Sequence, residues 1–280
     1  MSDYQPIALD PGRIDPRPIE SDVSVVIPTL GRPILEESLY WIASGTAWPQ
    51  AILVVDQSAS SAVAGLMERI NELGISGRYI PSSQRGRSAG INRGLEHVET
   101  RFVAITDDDC FVEETWLERM AAHLRRHPGG IVTGRVEAAG EDMIVVVNSP
   151  EPAIYRRPRL AFDSMSGGNM ATSMDVFDRV GYFDEHPSLA TSEDGEWSYR
   201  ALRHGAYIVY TPEAGVRHFG WRDEKGRERQ YRGYARSHGG FYGKYLRKGD
   251  TFIAMRALLH FVRATRRWVR GALSGDQEMA

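Results

Sequence analysis

Four short strand candidates, three of them apolar runs and each followed by a helix-like pattern, constrain this chain more than any other feature. Val23-Ser24-Val25-Val26-Ile27, Ala51-Ile52-Leu53-Val54-Val55, residues 77–80 and Phe102-Val103-Ala104-Ile105 read as buried strands. Pro28 ends the first run, and Asp56 ends the second. Between the runs the sequence predicts helices over 33–44, 61–73 and 88–97. Pro33 is tolerated in a first turn, Ser60 or Ser61 serves as a cap, and Gly74 is a stop. Another helix is expected over 113–127, halted by Pro128-Gly129-Gly130. Strand and helix thus alternate about every 25 residues, which argues for a mostly parallel sheet with right-handed crossovers. Such sheets bind ligands beyond the carboxyl ends of their strands, where Thr29, Asp56 and Asp107-Asp108-Asp109 stand.

The acidic triplet is unshielded in sequence, with no Lys or Arg between Arg101 and Arg119. In an extended chain Asp107 and Asp109 point one way and Asp108 the other. Two carboxylates on one side repel unless a cation joins them, and all-oxygen ligands suit Mg²⁺ or Mn²⁺. A solvated acidic loop, or an Asp capping the next helix, is the plain alternative. Gly86, Gly90 and Gly94 are spaced by four, which is neither a dinucleotide-binding nor a P-loop pattern.

The second half is less regular. Strands are expected over 130–136, 143–147, 206–210 and 216–218, and a loop over 156–159. Ser164-Met165-Ser166-Gly167-Gly168-Asn169-Met170 is small enough for backbone to approach a ligand closely. A short helix follows over 175–180. Ser192 stands where it would cap a helix running from Glu193-Asp194 to about residue 204, ended by Gly205. Trp197 and Tyr182 suit either stacking on a sugar or core packing. Cys110 reads as a small buried residue rather than a nucleophile. As the single cysteine it excludes an internal disulfide and fits a reducing compartment.

Charge is unevenly spread. From Arg217 to Gly271 there are 15 Lys and Arg against 4 Asp and Glu, a net of +11; this leaves −14 for the rest of a 280-residue chain whose formal charge is −3. That balance does not suggest nucleic acid, but it turns the C-terminal quarter toward an anionic partner. Residues 232–240 are expected to form a mobile, cationic segment that closes over the site. A helix is expected over 251–272, with Phe252, Met255, Leu259, Val262 and Val269 on one face. Arg256, Arg263, Arg267 and Arg270 form a neighbouring stripe. Such a helix lies on an anionic membrane or packs on the domain with its arginines in water. No signal pattern opens the chain, and no apolar window is long enough to span a membrane.

Taken in order, several of these pieces resemble the inverting family 2 glycosyltransferases of GT-A fold. They are Val25-Val26-Ile27-Pro28-Thr29, Val54-Val55-Asp56, Asn92-Arg93-Gly94, Thr106-Asp107-Asp108-Asp109, Gly167-Gly168-Asn169-Met170, Val180-Gly181-Tyr182-Phe183-Asp184-Glu185 and Glu193-Asp194, with His218 beyond. The resemblance runs from about Val23 to His218. It implies an α/β fold: a Rossmann-like, mostly parallel central sheet flanked by helices, with a helical C-terminal extension. The organisation expected is an N-terminal arm over 1–21, a catalytic domain over 22–220 and a basic extension over 221–280. Within the domain, 22–110 would be the donor half and 111–220 the acceptor half.

The resemblance also implies roles. Pro28, Thr29, Asp56, Arg87, Asn92, Asp107 and Asp108 would contact a nucleotide-sugar donor. Asp109 and His218 would hold Mn²⁺ or Mg²⁺, and Asp194 would be the general base. Gly167, Gly168, Asn169, Glu193 and Trp197 would meet the acceptor. Two positions depart from the family pattern: Gln57 stands where a second acid is frequent, and Ile91 where an Arg is frequent, with Arg85 or Arg87 as substitutes. The expected reaction moves a sugar, from UDP by preference, to a glycan or lipid-linked hydroxyl. The expected setting is cytoplasmic, at the inner face of a membrane. The alternatives are a nucleotidyltransferase, for which Leu30-Gly31-Arg32-Pro33 is a poor signature, and a non-catalytic sugar- or nucleotide-binding protein.

Overall fold

Both faces of the central strands are covered, which explains their apolar sequences. The structure, a computed structural model, describes residues 7–58, 61–139, 147–161, 163–220 and 224–274. Strands β1 (Ile19–Thr29), β2 (Trp48–Asp56), β3 (Ser76–Pro81) and β4 (Phe102–Thr106) are parallel neighbours in the order β3-β2-β1-β4. Val25, Ile27, Ile52 and Val54 pack on one face, under α1 (Leu35–Ala43), α2 (Ser61–Glu72) and α4 (Trp116–Arg126). Val26, Leu53, Val55 and Ile105 pack on the other. There they meet α3 (Arg87–Leu95), α5 (Met174–Val180) and α6 (Glu193–Arg203).

β1 departs from expectation at both ends. It begins at Ile19, inside the arm expected over 1–21, and it passes through Pro28 to Thr29. β4 pairs with β1 only as far as Val26, so Pro28 lies beside β2 alone, where one missing N–H is tolerated.

β5 (Cys110–Val112), β6 (Gly130–Ala139), β7 (Ala153–Tyr155), β8 (Asn169–Ser173) and β9 (Tyr207–Phe219) complete the nine-stranded sheet among the described residues. β8 runs antiparallel between β4 and β6, so Asn169 and Met170, expected in a flexible loop, are strand residues. The two strands expected over 206–210 and 216–218 are the ends of one strand, β9, parallel to β6 with a register shift between Gly134 and Val136. β7 was not expected. Ser60, residues 1–6 and residues 143–146 of an expected strand lie outside the described residues; Val147 bridges Val136.

The C-terminal helices α7 (Glu224–Leu246) and α8 (Thr251–Ser274) pack on α6 through a small core of Leu189, Tyr199, Phe241 and Ile253. Residues 232–240 are therefore the middle of a helix and not an irregular segment. Arg256, expected in a solvated stripe, is 2% exposed and its Nη2 lies 2.7 Å from Asp163 Oδ1. The packed side of α8 carries Ile253 and Arg256, whereas Met255, expected on the apolar face with Phe252, is exposed.

Glu196 on α6 fastens α7. It is fully buried, and Lys244 Nζ (2.7 Å), Tyr245 Oη (2.6 Å) and Arg200 Nη2 (3.0 Å) surround its carboxylate. Burial alone would raise its pKa, but Arg200, Lys244 and Tyr245 outweigh burial and hold it below the ordinary 4.5. A carboxylate depressed on folding adds stability above its unfolded pKa and loses it as pH falls through the folded one. Urea titrations of Glu196→Ala should therefore show about 3 kcal/mol lost at neutral pH. The gap to wild type should narrow in acid, below the depressed value.

Candidate active site

Thr29 and Asp56 end β1 and β2, and the acid triplet follows β4, so the sheet delivers these groups to one edge. A cleft of about 520 Å³ opens there, within the range of ligand sites. Its wall includes Pro28, Thr29, Arg32, Gln57, Arg87, Asp107, Asp108, Asp109, Gly167, Gly168, Glu193, Asp194 and His218.

The triplet is a turn, not an extended chain, and the expected pairing of Asp107 with Asp109 is replaced by another. Asp107 Oδ1 accepts from Arg87 Nε at 2.7 Å. Asp108 and Asp109 instead share Arg32, whose Nε donates to Asp108 Oδ2 at 3.1 Å and whose Nη2 lies 3.4 Å from Asp109 Oδ2. The cluster that is unshielded in sequence is thus flanked by two arginines from other elements. Burial works to discharge Arg32, but Asp109, Asp108 and Asp107 outweigh it and hold the guanidinium charged.

Asp108 is fully buried and accepts from Thr29 Oγ1 at 2.6 Å, while its carbonyl accepts from Ser38 Oγ at 2.7 Å. Burial pushes its carboxyl up against the pull of Arg32. Its contacts tie the turn to β1 and α1.

Asp109 Oδ1 lies 3.6 Å from His218 Nε2, because β5 and β9 pair Cys110 with His218. One ligand atom each from Asp109, Cys110 and His218 fall within 4.8 Å of one another. Burial pushes the Cys110 thiol well above its ordinary pKa of 9.0, and a soft sulfur donor suits a hard divalent ion poorly in any case. The usable donors are then one carboxylate and one imidazole, which fit Mn²⁺ or Mg²⁺ with further oxygens from a ligand.

Asp194 enters from the first turn of α6. Its Oδ2 accepts from Gly167 N (2.9 Å) and its Oδ1 from Gly195 N (2.7 Å). Burial raises its carboxyl above the ordinary range against the pull of Arg87 and these N–H groups. Burial likewise pushes Glu193 up to about 7, with Arg87 opposing and Asp194 adding to it. Arg87 Nη1 donates to Glu193 Oε1 at 2.9 Å, so this side chain joins the β4 turn to α6. Gly167 and Gly168 let these ion-paired side chains approach the backbone closely. A Cβ on Gly167 would meet Arg87 Nη1 at 2.8 Å, and one on Gly168 would meet Asp107 Oδ2 at 2.8 Å.

Four expected site residues do not face the cleft. Asn92 is committed to the loop before α6, holding Phe183 N and O and Glu185. Asn169 is fully buried. Its side chain accepts from Trp116 Nε1 and donates to the carbonyls of Arg135 and Ala214. Trp197 is buried among Phe177 and Phe183. Asp56 is buried at the strand end, engaged by Ser58 N and Oγ and by Tyr79 Oη, and its neighbour Gln57 lines the cleft instead.

Sequence reasoning missed Arg32 and Asp163 as site residues. It also missed Gln230, whereas Tyr234 and His238, within the segment 232–240 expected to close over the site, line the cleft from helix α7 rather than from a mobile loop. For Arg32 the only signal was its place just past the end of β1. Gln230, just outside that segment, carried none.

Residues 24–181 match the family model described as Glycosyl transferase family 2. No curated protein matches the chain in sequence. Among solved structures, S. aureus TarS 1–349 is similar with a TM-score of 0.64 at 16% identity, over 86% of this chain and 72% of that one. A longer TarS chain is covered over 40% of its length. TarS 1–349 in complex with UDP-GlcNAc gives 0.60 at 16% identity, over 72% of this chain and 60% of that one. The mannosyltransferase PcManGT from Pyrobaculum calidifontis, in complex with GDP-Man and Mn²⁺, gives 0.65 at 16% identity, over 95% and 80%.

Proposed function

The chain belongs to glycosyl transferase family 2 with a GT-A fold, and from its cleft we propose a metal-dependent, inverting transfer of a sugar from a nucleotide donor. One observation carries this reading. Arg87 joins Asp107, at the strand end suited to a donor, to the Glu193-Asp194 pair suited to an acceptor, within a single cleft. UDP-sugar is the preferred donor, since the similar TarS structure holds UDP-GlcNAc; GDP-Man in PcManGT is the competing precedent. Pro28, Thr29 and Gln57 form the wall beside Asp107 on the donor side.

Asp194 takes the proton of the acceptor hydroxyl as its oxygen attacks the anomeric carbon. The bond from that carbon to the diphosphate breaks on the opposite face, so the product has inverted configuration. Arg87 keeps a buried Nη2 without a hydrogen-bond partner among the described residues, a donor suited to the leaving diphosphate. Held by Asp109 and His218, Mn²⁺ or Mg²⁺ would supply Lewis-acid stabilisation of that diphosphate. A lipid-linked acceptor at the cytoplasmic face of a membrane is favoured because α8 is basic and is tied to the cleft through Arg256 and Asp163.

Turnover of a panel of nucleotide sugars, with Mn²⁺ and with a chelator, tests the reading. We expect product of inverted configuration by NMR, activity lost to the chelator, and Mn²⁺ affinity lowered about tenfold or more in Asp109→Asn. Turnover unchanged by chelation would overturn the metal assignment. Pyrophosphate release from a nucleoside triphosphate would favour the nucleotidyltransferase. Donor binding with no turnover on any acceptor would favour a binding protein.

A further inference from the structure

One face of α8 has no partner among the described residues. Met255 (51%), Leu258 (62%), Phe261 (69%), Trp268 (59%) and Val269 (41%) are exposed. At 3.6 residues per turn they share one arc, opposite the packed side of Ile253 and Arg256. Exposed apolar residues are ordinary when scattered, but a run along one helix face marks an interaction surface. Polar residues next to the arc identify the partner. Arg266 is exposed at the edge of the arc, Arg263 is exposed further round toward Arg256, and α8 carries five arginines and no acid over its whole length.

We propose that this face docks α8 on an anionic bilayer surface, lying in the interface with its apolar arc among the acyl chains. Three observations favour a membrane over a second copy of the chain. The helix has no carboxylate to meet a second copy's arginines, and a two-fold contact would set like charges against each other. Trp268 stands at the edge of the apolar arc, where its ring spans the boundary between acyl chains and headgroups. The net of +11 over Arg217 to Gly271 complements an anionic surface, and the remaining −14 lies in the rest of the chain. No described helix is long and apolar enough to cross a membrane, so the helix lies on the surface. The same helix holds Asp163 at the cleft through Arg256, so docking would present the cleft to a lipid-borne acceptor. That last consequence rests on the transferase reading, whereas docking itself does not.

Flotation of the full chain with phosphatidylcholine vesicles, with and without about one part in four of phosphatidylglycerol, tests this. The wild type should partition at least about tenfold more into the anionic vesicles and lose that preference at high salt. Leu258→Glu/Phe261→Glu should lose vesicle binding about tenfold or more, and Arg263→Glu/Arg266→Glu should lose the anionic preference. Both pairs are exposed, and unchanged circular dichroism and donor turnover on a soluble acceptor would show that the fold is kept. Equal flotation of wild type and Leu258→Glu/Phe261→Glu would overturn the proposal. So would a concentration-dependent dimer, abolished by that variant, in a protein that binds no vesicles. Flotation needs no donor, so its failure and a failure of the transferase reading are separate results.

Discussion

Asp194→Asn should cut kcat by about 10²–10⁴-fold, the range attributed to a positioned general base. Both oxygens of Asp194 accept backbone N–H groups, from Gly167 and Gly195. The amide keeps one acceptor and sets an NH₂ against the other donor, so the side chain loses both basicity and seating. The substitution lies apart from the β1 and β2 wall, so donor-induced thermal stabilisation should persist while turnover falls. Only the ionised carboxylate accepts a proton, and burial raises its pKa. Wild-type kcat/KM should therefore fall with decreasing pH along a limb displaced above the ordinary 3.8 for Asp, and the residual activity of the variant should lack that limb. Turnover near the wild-type level in Asp194→Asn would remove the base assignment.

Trp197→Ala should cost about 3–5 kcal/mol, a large part of the 5–15 kcal/mol that holds a domain folded. The indole is completely buried, with its ring centroid 4.9 Å from that of Phe177 and 5.2 Å from that of Phe183, and Nε1 donates to Gly181 O at 2.8 Å. Removing it leaves a cavity under α6 and an unpaired carbonyl. Because Asp194 sits in the first turn of the same helix, activity should fall with the fraction folded, and it should recover on cooling or in the presence of donor. Equilibrium urea unfolding gives the stability change. A loss of turnover with unchanged stability would instead restore Trp197 to the acceptor site.

The two substitutions show why Trp197 and Asp194, three residues apart, separate in the structure. On a helix a spacing of three keeps two residues on neighbouring faces, yet only the first turn of α6 reaches the cleft. Sequence position cannot report where along a helix the core ends. Asn169 shows the same limit in a strand. Its polar amide looked like a ligand contact beside two glycines, but β8 inserts between β4 and β6 and turns the amide inward, onto Trp116 and two carbonyls. A buried amide with all its partners in the protein carries the same letter as one facing a substrate.

By itself the sequence determined the mostly parallel sheet, its covering helices and the edge to which the candidate site residues are delivered. Those follow from local apolar periodicity and from where Thr29, Asp56 and the triplet fall in it. It also determined that carboxylates would dominate that edge. Tertiary structure alone decided their pairing. The turn after β4 sends Asp107 to Arg87 and lets Asp108 and Asp109 share Arg32, with His218 brought alongside by β9. The nearest of these partners in the chain, Arg87, is 20 residues from Asp107, and Arg32 is 76 residues from Asp108. Charge neutralisation acts through space over a few ångströms, so a cluster that is bare along the chain is paired in the fold.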